Sequence, residues 1–172
     1  MIEIKARGDR AGMSGAGRGR QGRARTMYRS ILVPIDPAHG EVGERIIRVA
    51  KLLAGGTGRI TILTVLEPVP SYVAAYIPDG MLEANREAAA DRLRAMAERA
   101  GLEEATLELR DGAASAVILE EAERLGADAI VLGSHRPSFG DYLIGSTAAR
   151  VVRHAQCTVV VERSTGADDA SA

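Results

Sequence analysis

The stretch GSHRPSFGDYLIGSTAARVVRHA, from Gly133 to Ala155, collects residue types suited to holding an anion. It follows the apolar run ADAIVLG and leads into a segment with helical spacing. Gly145 puts backbone without a side chain at the start of that helix. The N–H groups that follow it, with the hydroxyls of Ser146 and Thr147, are donors at the positive end of a helix dipole, an arrangement suited to phosphate. Gly133, where the apolar run ends, lets a ligand approach the backbone. His135 and Arg136 are cations that can face phosphates, and Arg136 can supply charge where backbone N–H groups do not. The same residues also suit a surface loop with Ser146 as an ordinary N-cap.

The elements that must position these residues alternate along the chain. YRSILVPID reads as a first strand, ended by Pro34 and Asp36. GERIIRVAKLLA places Ile46, Ile47, Ala50 and Leu53 at helical spacing. GRITILTVLEP is a β-branched second strand stopped by Pro68, and PDGMLEANREAAADRLRAMAERAG is an Ala-rich amphipathic helix ending at Gly101. EATLELR alternates as a third strand, and GAASAVILEEAERLG is a helix closed by Gly126. ADAIVLG is a buried fourth strand, GSTAARVVRHA a short helix and CTVVVER a fifth strand. This order predicts an α/β fold: a doubly wound, five-stranded parallel sheet in a three-layer α/β/α sandwich. Ligands of such sheets sit beyond the carboxyl ends of the strands, at the switch point. Those ends carry Pro34-Ile35-Asp36, Val65-Leu66-Glu67, Arg110-Asp111-Gly112 and Gly133-Ser134-His135. Asp36 can accept from ribose hydroxyls, hold a metal through water, or simply start a turn before Pro37.

Composition bounds the function. A chain of 172 residues makes one domain with tails. The first 26 residues hold seven basic and two acidic side chains, a net of +5, so the remainder carries −6 against a whole-chain −1. That acidic body argues against non-specific nucleic-acid binding. Residues 1–26 read as a disordered, basic Gly/Arg-rich leader ahead of a domain beginning at Met27, and residues 164–172 as a disordered tail. The single cysteine, Cys157, fits a reducing, cytoplasmic setting and a small buried hydrophobe. No apolar run is long enough to span a membrane.

Familiar motifs are missing. There is no GxxxxGK[ST], no GxGxxG after a strand, no GxSxG, and no lysine after Lys51 to complete a receiver-type acidic site. His39, His135 and His154 have no metal-ligand spacing, so no metal on protein ligands is expected. Arg153 and His154 suit the negative end of the last helix. Tyr72, Tyr76 and Phe139 read as loop cover. No general base stands out, so no catalytic residue is assigned.

MYRSILVPID, ITILTVLEP and DGAASAVILEEAERLGADAIVLGSH together resemble the universal stress protein (UspA-like) family over residues 27–163. The segment from Ser134 to Val161 resembles the small single-domain branch of the enterobacterial F and G types. The resemblance implies an adenine nucleotide α-hydrolase-like fold and ATP bound with Mg²⁺ or Mn²⁺ through its phosphates. It implies a site made of Pro34, Ile35, Asp36, Val65, Gly133, Ser134, His135, Arg136, Gly145, Ser146 and Thr147, with Val65 against adenine. It further implies a regulatory role in the bacterial stress response and a homodimer joined through the fifth strand, Cys157 to Arg163. The family's nucleotide-binding motif is G-x2-G-x9-G-[ST]. Gly133 and Gly145-Ser146 match its ends, but Arg136 replaces the second glycine and the spacing is one residue short. Two alternatives therefore stand beside ATP binding: a nucleotide-free dimeric interaction protein, and a slow ATPase or autophosphorylating enzyme.

Overall fold

The computed structural model describes residues 2–4, 26–70, 72, 76–78, 80–134 and 144–163. In chain order the elements are β1 (Ile2–Ile4), β2 (Ser30–Pro34), α1 (Gly40–Ala54), β3 (Arg59–Leu66), α2 (Met81–Arg99), β4 (Thr106–Asp111), α3 (Ala114–Arg124), β5 (Ala129–Ser134), α4 (Ser146–His154) and β6 (Thr158–Arg163). They form one sheet of order β1-β4-β3-β2-β5-β6. The strands from β2 to β6 pair in parallel, as the alternation of strands and helices predicts. From β2 the chain steps outward through β3 to β4, then crosses to β5 on the other side of β2. The carboxyl ends of β2 and β5 therefore flank the switch point.

Two details depart from the sequence expectation. Residues 1–26 read as a leader without structure, yet Ile2–Ile4 pairs antiparallel with β4, in the register Ile2 to Leu109 and Ile4 to Leu107. Three alternating residues beside a Gly/Arg-rich stretch are too short a signal for periodicity to find. Helix α1 begins at Gly40, three residues before the expected Gly43. A turn at Asp36 starts it: the His39 N–H donates to the Asp36 carbonyl (3.1 Å) and the Gly43 N–H to the His39 carbonyl (3.0 Å).

Both faces of the sheet are covered, which is why its strands, β4 apart, read as continuous apolar runs rather than alternations. Ile31, Val33, Ile60, Ile62, Leu107, Leu109 and Val131 face one layer, where α1 contributes Ile46, Ile47 and Ala50 and α2 contributes Leu93, Met96 and Ala97. Leu32, Leu63, Ile130 and Leu132 face the other, against Ile118 and Ala122 of α3 and Ala148 and Val151 of α4. Each fully buried Leu or Ile contributes about 1.5–3 kcal/mol. Among the described residues no helix is long and apolar enough to cross a membrane.

The side of β4 that faces α3 is closed by charge instead. Glu108 and Glu121 are buried, at 6% and 5% exposure, between Arg110 and Arg124. Arg110 donates to Glu108 (2.6 Å) and Glu121 (3.0 Å), and Arg124 to Glu108 (2.7 Å) and Glu121 (2.5 Å). Burial alone would raise the Glu121 carboxyl, but hydrogen bonds led by those from Arg124 and Arg110 outweigh it and hold the group below its usual range. A depressed carboxyl stabilises the fold above its unfolded value of about 4.3 and loses that contribution as pH falls through the folded value. Glu121→Gln should therefore lower stability at neutral pH by about 2 kcal/mol. That is under the full cost of breaking a buried pair, because the Arg124 side chain is 47% exposed. The variant should also flatten the decline in melting temperature below about pH 4.5. Circular dichroism melts across pH decide this; an unchanged neutral-pH melt would show that the network contributes little.

Candidate functional site

A cavity of about 470 Å³ opens at the switch point. Its wall takes Pro34 from the end of β2 with Ile35 and Asp36 just after it, Leu63 and Val65 from β3 with Glu67 just after it, and Leu132 and Gly133 from β5. Ala114 and Ile118 of α3 and Thr147 and Ala148 of α4 complete it. A smaller lobe of about 160 Å³ shares Pro34, Ile35, Asp36 and Gly133 and runs toward His39 and Val42 of the α1 side. The sequence-expected residues Pro34, Ile35, Asp36, Val65, Gly133 and Thr147 thus come together in one wall. Ser134 is buried one residue beyond Gly133, and Gly145 and Ser146 stand exposed at the start of α4. His135 and Arg136 lie outside the described residues.

Two helices begin at this cavity. α4 has Gly145 at its N-cap with φ 78° and ψ 148°, a conformation that essentially only glycine adopts without strain. Ser146 is therefore the first helical residue rather than the N-cap, and no side chain caps the helix. α3 starts after Ala113, also without a side-chain cap. Neither helix has an acidic residue in its first turn, whereas α1 and α2 carry Glu41 and Glu83 there. The Ala116 and Val117 N–H groups both donate to the Ala113 carbonyl (3.0 Å) and the Ala149 N–H to the Gly145 carbonyl (2.9 Å), which leaves the N–H groups of Ala114 and Ser115 in α3 and of Ser146, Thr147 and Ala148 in α4 without an acceptor among the described residues, two positive helix ends at one cavity. The α3 contribution was not foreseen from the sequence. Its signal was present: the helix after Arg110-Asp111-Gly112 opens Ala-Ala-Ser-Ala, with neither a strong cap nor an acid.

The wall also carries two acidic residues, Asp36 and Glu67. Asp36 is held in place by its own turn: one carboxylate oxygen accepts from the Ala38 N–H at 2.9 Å and the other faces His39 Nδ1 at 3.1 Å. Ile35 is fixed by its N–H on the Leu63 carbonyl (2.8 Å) and by the Thr64 hydroxyl, which donates to the Ile35 carbonyl (3.1 Å). A cavity lined by both helix-start donors and carboxylates suits a molecule with an anionic part and hydroxyl donors. Among the described residues no three His, Cys, Asp or Glu side chains gather as a metal site.

Gly133 has a packing role besides any ligand. A Cβ there would lie 2.8 Å from Ile46 Cδ1 and 3.4 Å from Val42 Cγ1, so the end of the Ile46 side chain would have to shift to admit it. Gly133→Ala should cost at most about 1 kcal/mol through that overlap. Ile46→Val deletes the offending Cδ1, so the double variant should recover much of the loss in urea melts. No recovery would place the strain elsewhere.

The fold matches known proteins. A profile of the universal stress protein family covers residues 27–163. The chain belongs to the universal stress protein family. It is 33% identical over 142 residues to universal stress protein G of Shigella flexneri, covering 80% of this chain and 100% of that protein. With the Salmonella typhimurium protein of the same name it shares 34% over 142 residues, again with 80% and 100% coverage. The solved universal stress protein UspA of Lactobacillus plantarum superposes with a TM-score of 0.65 at 25% identity, covering 79% of this chain and 98% of that one. A universal stress protein crystallised in complex with cAMP superposes at 0.55 with 24% identity, covering 81% of this chain and 99% of that one. As in the sequence expectation, then, this universal stress protein resembles the enterobacterial G type. The residues matched by the family profile, 27–163, span the cavity wall from Pro34 to Ala148.

Proposed function

We propose that this universal stress protein binds ATP at the switch-point cavity and acts as a cytoplasmic regulatory module of the stress response. The observation that carries the proposal is the pair of uncapped, acid-free helix starts, α3 and α4, opening on one cavity. Phosphates would meet the first-turn N–H groups of α4 and the Ser146 and Thr147 hydroxyls. Ribose hydroxyls would donate to Asp36, and adenine would lie against Val65 and Ile118. A divalent cation would come with the phosphates, and its charge would offset the repulsion from Asp36 and Glu67. That a universal stress protein of the same fold was solved in complex with cAMP supports an adenine nucleotide as the ligand. In solution the protein would be a homodimer joined through β6.

A nucleotide-free interaction protein is the second reading. Gly133 is already explained by the approach of Ile46, and Arg136 stands where the family motif has glycine. Calorimetry with Mg²⁺ and ATP on the intact chain separates the two, together with mass spectrometry of any nucleotide retained through native purification. No heat at millimolar ATP and no retained nucleotide would overturn the ATP proposal. Release of phosphate from bound ATP would instead point to a slow ATPase.

A further inference from the structure

Helix α4 carries three side chains that can be cationic, Arg150, Arg153 and His154, and no acid. Arg153 and His154 stand in its last turn, where positive charge offsets the negative helix end. His154 is also tied back, its Nδ1 lying 2.8 Å from the Arg150 carbonyl. Arg150 has no such account. It is the fifth of the nine residues of the helix and is exposed. Its guanidinium has no hydrogen bond or ion pair among the described residues. Arg86, Arg99, Arg110 and Arg124, by contrast, all hold carboxylates.

Helical side chains lean toward the N-terminus and cover the turn before their own Cα. Arg150 stands four residues after Ser146 and three after Thr147, the spacings at which side chains on a helix meet, with Cβ atoms about 5–6 Å apart. Its guanidinium is therefore directed over the first turn of α4, beside the two hydroxyls and the open N–H groups. Without a ligand that position is unfavourable: a cation leans on the positive end of a helix that has no acid to offset it. A bound anion turns both charges to advantage. Thr147 lines the cavity and Arg150 does not, so the arginine meets the part of a ligand that leaves the cavity. Resting on the reading of this cavity as an ATP site, we propose that Arg150 grips the outer phosphates of the nucleotide, beyond the one held at the helix start. A guanidinium does this through paired N–H donors. The contact makes the site select a nucleoside triphosphate over a monophosphate, and makes the protein a reader of how far its nucleotide is phosphorylated.

The test is calorimetry on the intact chain with ATP, ADP and AMP, each with Mg²⁺. The native protein should bind ATP at least about tenfold more tightly than AMP, with ADP between them. Arg150→Gln should weaken ATP about five- to tenfold, the scale of one charge-assisted contact, and AMP by less than about twofold. Arg150→Lys keeps the charge without the paired donors and should recover part of the loss. Arg153→Gln removes the same charge about one turn further along the helix and should leave every affinity within about twofold. The melting temperature of unliganded Arg150→Gln should be unchanged or slightly higher, so weaker binding cannot come from unfolding. Unchanged ATP affinity in Arg150→Gln, an equal loss for ATP and AMP, or the same loss in Arg153→Gln would overturn the role of Arg150 and leave the ATP site standing. A native chain that binds none of the three nucleotides would overturn both.

Discussion

Thr147→Asp should lower the affinity for ATP by at least about tenfold while leaving the melting temperature unchanged or slightly higher. Thr147 is exposed, lines the cavity and occupies the first turn of α4. A carboxylate about 5 Å from a phosphate interacts unfavourably by about 3 kcal/mol at a surface-like dielectric, and salt reduces this only in part. The same carboxylate near a helix N-terminus stabilises the helix by about 0.3–1 kcal/mol. The two effects have opposite signs, so loss of affinity cannot be put down to unfolding. Thr147→Val is the companion variant; it removes only the hydroxyl and should weaken binding by a few-fold. Calorimetry and thermal melts on the same samples give both readings. Unchanged ATP affinity in Thr147→Asp would show that the phosphates are not held at α4.

Val160→Lys should convert the proposed homodimer into a monomer. Among the described residues β6 is the last strand of the sheet and pairs only with β5. Its outer edge bears N–H and C=O groups without sheet partners, beside three valines that are only half-buried, Val159, Val160 and Val161. An apolar edge without proline or lysine invites pairing. Antiparallel pairing of β6 with its own copy is self-complementary, so it closes at two chains. A lysine at position 160 puts like charges near each other across the two-fold axis. Val161→Pro gives a second route to the same end. Light scattering at tens of micromolar, with circular dichroism to confirm the fold, should find a dimer in the native protein and monomers in the variants. A monomeric native protein, or variants that remain dimers, would rule out β6 as the interface.

Sequence alone was sufficient for the layout. Burial on both faces writes itself as continuous runs such as ILVP and ITILTV, and amphipathic helices as residues at the spacing of Ile46, Ile47 and Ala50, so five parallel strands and four helices were legible. The rule that ligands meet the carboxyl ends of strands then brought Pro34, Ile35, Asp36, Val65 and Gly133 into one expected wall, and they share one. What the tertiary structure alone decided depends on contacts between residues far apart in the chain. The approach of Ile46 to Gly133, the use of the α3 start as a second donor end, the charged closure of β4 by Glu121 and Arg124, and the neighbourhood of Arg29 and Asp128 join residues separated by up to 99 positions. β1 belongs with these, because its three residues acquire a partner only when β4 is in place. Local patterning records which way a side chain must face. Which distant side chain meets it there is set by the packing of layers, and no local pattern encodes that.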